Sequence, residues 1–456
     1  MAFVAPVMRD DAWLARAVDR YHELCADDRL AGPDVVAAFV KGQRDAGLTF
    51  GGVVQCRSLR PAFITRERVD TLRNAVSSLW QAFQTLEAHA LRDEALAAEI
   101  GLSADERALA VIDPGYDDAT VVSRLDTYFH EKPRVLEYNA DSPAGMSYQA
   151  GQAALMRRLP VMTRFSSEFR LEDLRADVAL RETLLRVWRE FAARKGIRTS
   201  VPVVAIVDLA GAATGAEFSL VTRDLERHGI SALIAAPEEL TYRAGKLQAR
   251  GRDIDLVYKR LLVADFLAHY DINHPLVQAY ADGAVCVASS FRCTIAHKKK
   301  ALSALLDPRH SEWFTAEERA TVAALVARTS PLADVDTKTL EADRQSWVLK
   351  PNDAHGGEGV TLGWETNADN WRASLDAARN GDYVVQARVE PTFGSYPIFD
   401  ALRPGEGASV RTLIEDCNAY VFRGSLGGIL TRLSDAAVIN VSRGGQAIPT
   451  FVIDPL

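Results

Sequence analysis

The sequence predicts a mixed fold, α/β in part and α+β in part, and three observations predict it. Val69, Leu72, Val76, Leu79, Trp80, Phe83 and Leu86 recur at three- and four-residue steps behind Thr65, which is suited to capping a helix. The run VPVVAIVDL, residues 201–209, is rich in β-branched residues and has the continuous apolarity of a buried parallel strand. From Ser346 onward β-prone runs return, separated by Gly, Asn and Asp.

Taken in order, the chain opens with a mainly helical region, 1–115, whose stripe of apolar residues one helix face would bury. VVSRLDTYFHEKPRVLEYNAD, residues 121–141, reads as two short strands around the turn-forming Glu131-Lys132-Pro133, a β-hairpin. A helix over 176–194 places Leu180, Leu184, Trp188 and Phe191 on one face. A strand over 203–209, a helix over 217–228 and a strand over 231–235 follow. With the hairpin and strand in GKLQARGRDIDLVYKR, they form an α/β layer with a crossover. Helical stretches dominate 271–330. The expected units are 1–115, 116–195, 196–290 and 291–456.

The 456 residues are enough for about two or three domains. With 25% charged and 48% apolar residues the composition is that of a soluble globular protein. A net charge of -8 gives no general footing for nucleic acid, so any phosphate site must be local. Cys25, Cys56, Cys286, Cys293 and Cys417 are scattered and odd in number, without a CxxC pair, which suits a reducing cytoplasm. The N-terminal MAFVAPVMRDDAW lacks a basic signal region, and no uncharged apolar stretch approaches the ~20 residues of a membrane span. A cytoplasmic protein without a membrane or nucleic-acid partner is the expectation.

Two constellations carry chemistry. In WVLKPNDAHGGEGVTLG, residues 347–363, glycines without a Cβ let backbone N–H groups approach an anion closely. The loop is neither a P-loop nor a dinucleotide fingerprint, since GxxxxGK[ST] and GxGxxG are both missing from it. Lys350, leaving a strand just before the loop, is placed to pair with phosphate oxygens. The plainer alternative is a glycine-rich hairpin with a surface lysine.

The second constellation lies on the hairpin at 121–141. Arg124 and Asp126 are two apart on one strand, and Glu137 and Asn139 two apart on the other, so each pair shares a face. If the strands pair, hard oxygen donors converge in a manner that suits Mg²⁺ beside a substrate's phosphates. A solvated face with a surface salt bridge is the alternative.

RLDTYFHEKPRVLEYNADSPAG, HKKKALSALL, the glycine loop with its lysine, YVVQARVEP and GGILTRLSDAAVINVSRGG together resemble the circularly permuted ATP-grasp proteins. Within them, the similarity is to the synthetase domain of glutathionylspermidine synthase and its relatives, from about Val121 to the C-terminus. The resemblance implies an ATP-grasp fold, circularly permuted, with a pre-ATP-grasp α/β unit at 196–290 and a largely helical N-terminal region. The metal-binding part of the core would be 116–195; the lysines, flap, adenine hinge and last strands would be 291–456. It implies Asp126, Glu137 and Asn139 as Mg²⁺ ligands, and Arg124 and Arg432 facing the transferring phosphate. Lys350 and Lys300, with Lys299 as the alternative to Lys300, would bind ATP phosphates. Gly356, Gly357, Glu358, Gly359 and Val360 would form the flap, and Gln386 and Val389 the adenine hinge. The flap KPNDAHGGEGV departs from the Arg-Glu-Gly flap of glutathionylspermidine synthase, and there is no N-terminal Cys-His amidase pairing.

The activity so implied is ATP- and Mg²⁺-dependent joining of a small-molecule carboxylate to an amine through an acyl-phosphate. A nucleotide-binding module without ligase activity is one alternative. A phosphotransferase with His297 or His355 as acceptor is another. Ser142-Pro143-Ala144-Gly145 can line an acceptor pocket or simply turn the chain, and Arg411 and Arg443 can meet a substrate carboxylate or be surface charge. Asp126→Asn and Arg432→Ala are expected to abolish turnover with little loss of folding.

Overall fold

The computed structural model describes residues 9–441 and 444–456. Thr65 caps the helix Arg66–Ala90 by accepting from Arg68 N, and Val69, Leu72, Val76, Leu79, Phe83 and Leu86 are buried along one side of it. That side packs on the largest of the β-sheets. The sheet's central ladder runs, by strand, Thr392–Phe399, Ala408–Glu415, Ser425–Ser434, Asn418–Phe422, Val122–Phe129 and Pro133–Asn139. Its last two members are the expected hairpin, antiparallel and turning at 130–132.

The same sheet joins the two ends of the chain. The C-terminal strand Gln446–Pro455 pairs with Ser425–Ser434, lies parallel to Ala62–Thr65 and antiparallel to Phe169–Asp173. Only one of these neighbours is near it in sequence, so local pattern carries no sign of the others. The N-terminal helices cover one side through a cluster that includes Tyr21, Phe39, Phe165, Phe399 and Phe451.

A second sheet is parallel, in the order Cys286–Ala288, Leu256–Lys259, Val204–Val207, Ala232–Ala235. The helix Gly215–Arg227 makes the crossover between the last two. Val204 to Val207 are all buried, as continuous apolarity demands of a strand covered on both faces. A third, four-stranded sheet has the order Thr329–Pro331, Tyr383–Ala387, Trp347–Pro351, Thr361–Leu362. Its inner face is held by Trp347, Leu349 and Val385 against Trp371 and Leu375. Those last two lie on the helix Ala368–Ala378, within the region expected to be β-prone; Asn367 caps it by accepting from Asn370 N. Among the described residues no helix is long and apolar enough to cross a membrane.

Candidate active site

One cleft of about 760 Å³ is lined by all three of these sheets. The hairpin contributes Arg124, Asp126, Glu137 and Asn139. The small sheet contributes Val348, Lys350 and Gln386, with His355, Gly356, Gly357 and Val360 from the glycine loop. The carboxyl ends of the parallel strands contribute Asp208 and Arg260.

Strand register explains the hairpin's contribution. Arg124 pairs with Asn139 and Asp126 with Glu137, so four polar side chains emerge on one face. The opposite face is apolar: Leu125, Phe129, Val135 and Tyr138 are buried against the long helix, and the Tyr138 ring stacks on Phe83 at 4.0 Å. A one-residue slip would exchange these faces, and the core forbids it.

Asp126 is 5% exposed and held by two guanidinium groups. Arg124 Nε donates to its Oδ1 at 2.6 Å and Arg432 Nη2 to its Oδ2 at 2.8 Å. Burial alone would raise its pKa, but the two cations outweigh burial and bring it down to about 2. Arg432 also donates through Nε to Asp416 Oδ2 at 2.8 Å, while Asn418 Nδ2 donates to Asp416 Oδ1 at 2.6 Å. For Asp416 burial prevails over Arg432, and its carboxyl is raised above the ordinary range.

Glu137 makes no hydrogen bond or ion pair with any side chain among the described residues, and the Asn139 Nδ2 is buried without a hydrogen-bond partner. Both line the cleft, so the hairpin presents polar atoms that its own fold leaves unsatisfied. Opposite them Lys350 Nζ donates to Gln386 Oε1 at 2.7 Å and to Leu136 O at 3.2 Å. Burial depresses the Lys350 ammonium to about 8, against the pull of the nearby Glu137 carboxylate.

Gly356, Gly357 and Gly359 all have positive φ, at 68°, 74° and 66°. Other residues adopt this conformation only at a cost, which is why glycine stands there. The loop is bridged from both sides: Asn440 donates to Gly356 O, and His355 Nε2 lies 3.9 Å from Asp265 Oδ2.

Of the residues singled out from sequence, Arg124, Asp126, Glu137, Asn139, Lys350, Gly356, Gly357, Val360, Gln386, Val389 and Arg432 all line this cleft. Glu358 and Gly359 do not; Gly359 packs against Pro351. Lys300 is the main departure. It pairs with Asp382 and lines a separate pocket with Leu332 and Tyr383. Lys300 opens the helix Lys300–Leu306, and that start directs it away from the cleft. Lys299 turns toward the glycine loop, donating through Nζ to Ala354 O at 2.7 Å, but it too is not among the residues lining the cleft. Ser142, Pro143 and Ala144 line the cleft, as do His297 and His355. Arg411 forms an exposed pair with Asp435 outside it, and Arg443 lies outside the described residues.

Sequence reasoning missed Asp416, Asp208 and Arg260. Asp416-x-Asn418 repeats the spacing of Glu137-x-Asn139, which was an available signal. Arg260 follows a strand, where a ligand site in a parallel sheet is expected. Its Nη1 donates to Pro143 O at 2.7 Å. Beside it, the wholly buried Lys259 Nζ meets Asp141 Oδ1 at 2.5 Å, tying the parallel sheet to the end of the hairpin.

The cleft therefore offers cations at one wall, uncommitted oxygen donors at another and an amide-rich loop above. That set can hold a polyanion together with a divalent cation.

No protein-family model matches the sequence, and no curated protein matches it. Among solved structures, the chain is similar to a glutathione synthetase-like effector from Globodera pallida in its apo form. The TM-score is 0.60 at 13% identity, over 92% of this chain and 96% of that one. The likeness shows a shared fold along nearly the whole length of both. A protein of Methylobacillus flagellatus assigned as a gamma-glutamylcysteine synthetase aligns over 86% of this chain and 89% of its own, at 11% identity and a TM-score of 0.41. The latter score is too low to carry an argument.

Proposed function

We propose that this protein is an ATP-dependent carboxylate–amine ligase built on a circularly permuted ATP-grasp fold. It forms an amide through an acyl-phosphate, releasing ADP when the acyl-phosphate forms and inorganic phosphate when the amine attacks it. The observation that carries the reading is convergence: the hairpin of the first third and the lysine and glycine loop of the last third face each other across one cleft. An order of metal ligands first and phosphate-binding loop last is what permutation predicts. The fold shared with a glutathione synthetase-like effector agrees with it.

The residues fit Mg²⁺ and ATP by their donor chemistry. Glu137 has both oxygens uncommitted, and Asp126, ionised far below neutral pH, has lone pairs beyond those its arginines use. Asp126, Glu137 and Asn139 would hold Mg²⁺, which would supply charge neutralisation at the transferring phosphoryl group. Lys350 and Lys299 bind phosphate oxygens from the small sheet and the helix start. Arg432 and Arg124, fixed by Asp126, direct guanidinium N–H groups to the γ-phosphate, where charge spreads over equatorial oxygens. The loop at 354–360 covers the phosphates and excludes water, which would otherwise hydrolyse the acyl-phosphate. Gln386 and Val389 edge the adenine pocket. The acid and amine enter from the side lined by Ser142, Asp208 and Arg260.

The test is ADP release measured against panels of carboxylic acids and amines. Release that requires both partners supports a ligase. Transfer to a single nucleophile without amide formation indicates a phosphotransferase, and nucleotide binding without ADP under every combination indicates a binding module.

A further inference from the structure

Away from the cleft, Glu99, Asp307 and His310 bring one ligand atom each to within 4.8 Å of one another. Glu99 stands near the end of the helix Glu94–Ile100, while Asp307 and His310 follow the helix Lys300–Leu306. Two carboxylates alone would be an ordinary acidic corner. His310 makes the difference: it is 8% exposed, its Nε2 is buried without a hydrogen-bond partner, and that atom lies 4.0 Å from Glu99 Oε1. Its ring is fixed by stacking on Trp313 at 4.1 Å, and the other face of Trp313 is taken by His89 at 4.0 Å. A buried imidazole nitrogen aimed at a carboxylate and satisfied by nothing costs free energy unless a ligand completes it.

The carboxylates already gather around a positive charge. Arg309 Nη2 reaches Glu99 Oε1 at 2.5 Å and Asp307 Oδ2 at 2.6 Å. Its side chain is 65% exposed and can turn out to water without breaking a core contact.

We propose that Glu99, Asp307 and His310 form a Zn²⁺ site in which the metal takes the place of the Arg309 guanidinium. One nitrogen and two carboxylate oxygens suit Zn²⁺, with the fourth position left to water. Closing the three atoms onto the ion takes a movement of about an ångström from each, given Zn–ligand distances near 2.1 Å. The site would staple the Glu94–Ile100 helix to the end of the helix that follows Lys299. Ile100 O accepts from Asn352 Nδ2 at 2.9 Å, and Asn352 O accepts from Lys299 N at 3.1 Å. Metal binding there would thus brace the backbone that positions Lys299, whose Nζ donates to Ala354 O, and the proposal stands independently of the cleft's chemistry.

The test is titration of the metal-free protein with ZnCl₂ alone, by calorimetry and by competition with a chromogenic chelator. It is done in the wild type and in a Glu137→Gln background that removes metal held in the cleft. At least one Zn²⁺ per chain is expected in the wild type, and one in the Glu137→Gln protein. Its affinity should fall by about tenfold or more in His310→Ala and in the surface variant Glu99→Gln. It should rise in Arg309→Gln, where the competing cation is gone. Absence of stoichiometric binding in the Glu137→Gln protein would overturn the proposal, as would binding unchanged by both His310→Ala and Glu99→Gln.

Discussion

Arg432 Nη2 donates to Asp126 Oδ2 across 2.8 Å, joining residues 306 positions apart in sequence. The same guanidinium reaches Asp416 Oδ2 at 2.6 Å, so one largely buried cation bridges two buried carboxylates, of which Asp126 also holds Arg124. Arg432→Ala is therefore expected to do more than stop ADP release. Leaving Asp416 without its cation, and Asp126 with Arg124 alone, costs about 3–5 kcal/mol, which urea unfolding will register. The sequence alone suggested little loss of folding, because spacing can flag Asp416-x-Asn418 but not that Asp416 meets Arg432. Asp126→Asn keeps the shape and leaves Arg432 paired with Asp416. It is expected to abolish turnover at a smaller stability loss of about 1–3 kcal/mol.

Asp126 also sets an acid limit. Its folded pKa of about 2 lies below the unfolded carboxylate value of about 3.9, so its stabilisation is fully present above the latter. That contribution is lost as pH falls toward 2. In Asp126→Asn, the fall in stability between pH 4 and pH 2 should be shallower than in the wild type, read from urea midpoints at each pH.

Lys350 behaves in the opposite sense. Burial lowers its pKa to about 8, against about 10.4 unfolded, so between these values the unfolded chain binds the extra proton. Stability rises with pH across that window, and below it the buried ammonium is a net cost. Lys350→Met is expected to stabilise the nucleotide-free protein at pH 7 by about 1–2 kcal/mol and to flatten the rise between pH 8 and 10. Nucleotide affinity should collapse in the same variant. A drop in its melting temperature at pH 7 would contradict the assignment.

How much of this was legible depended on how local the cause was. The hairpin face followed from side-chain alternation in Arg124-x-Asp126 and Glu137-x-Asn139, a property two residues long. The parallel strand at 204–207 followed from its own apolarity. What pairs with the last strand did not, because Ala62–Thr65 and Phe169–Asp173 meet it only once the chain has closed on itself. The helix Ala368–Ala378 was hidden by the β-prone runs on either side of it. Between Lys299 and Lys300, the choice turned on where a helix begins, a boundary that sequence pattern resolves least well.

That boundary yields a direct comparison. Lys299→Ala removes the ammonium that faces Ala354 in the glycine loop, whereas Lys300→Ala removes the partner of Asp382 in a different pocket. Loss of one charge-assisted hydrogen bond to phosphate, about 1.5–3 kcal/mol, corresponds to about a tenfold to hundredfold weaker nucleotide Kd. That loss is expected in Lys299→Ala, with Lys300→Ala within about twofold of wild type. Isothermal titration with a non-hydrolysable ATP analogue measures both.

Gly145 is the tightest joint beside the cleft. Its φ is +111°, and a Cβ there would stand 2.3 Å from Tyr420 Oη and 3.4 Å from Leu430 Cδ2. Tyr420 cannot swing aside, since it is fully buried and donates to Ala144 O at 2.8 Å. The Gly145 N–H is meanwhile fixed on Glu217, at 2.9 and 3.0 Å from its two oxygens. Gly145→Ala should cost about 2–5 kcal/mol by adding backbone strain to overpacking. Gly405→Ala, where nothing lies within 4 Å of the added atom, should be close to neutral. Because the clash is with one oxygen, Tyr420→Phe should recover part of the Gly145→Ala loss in a double-mutant cycle, while the φ penalty remains. Strict additivity of the two substitutions would show that the strain lies in the backbone alone.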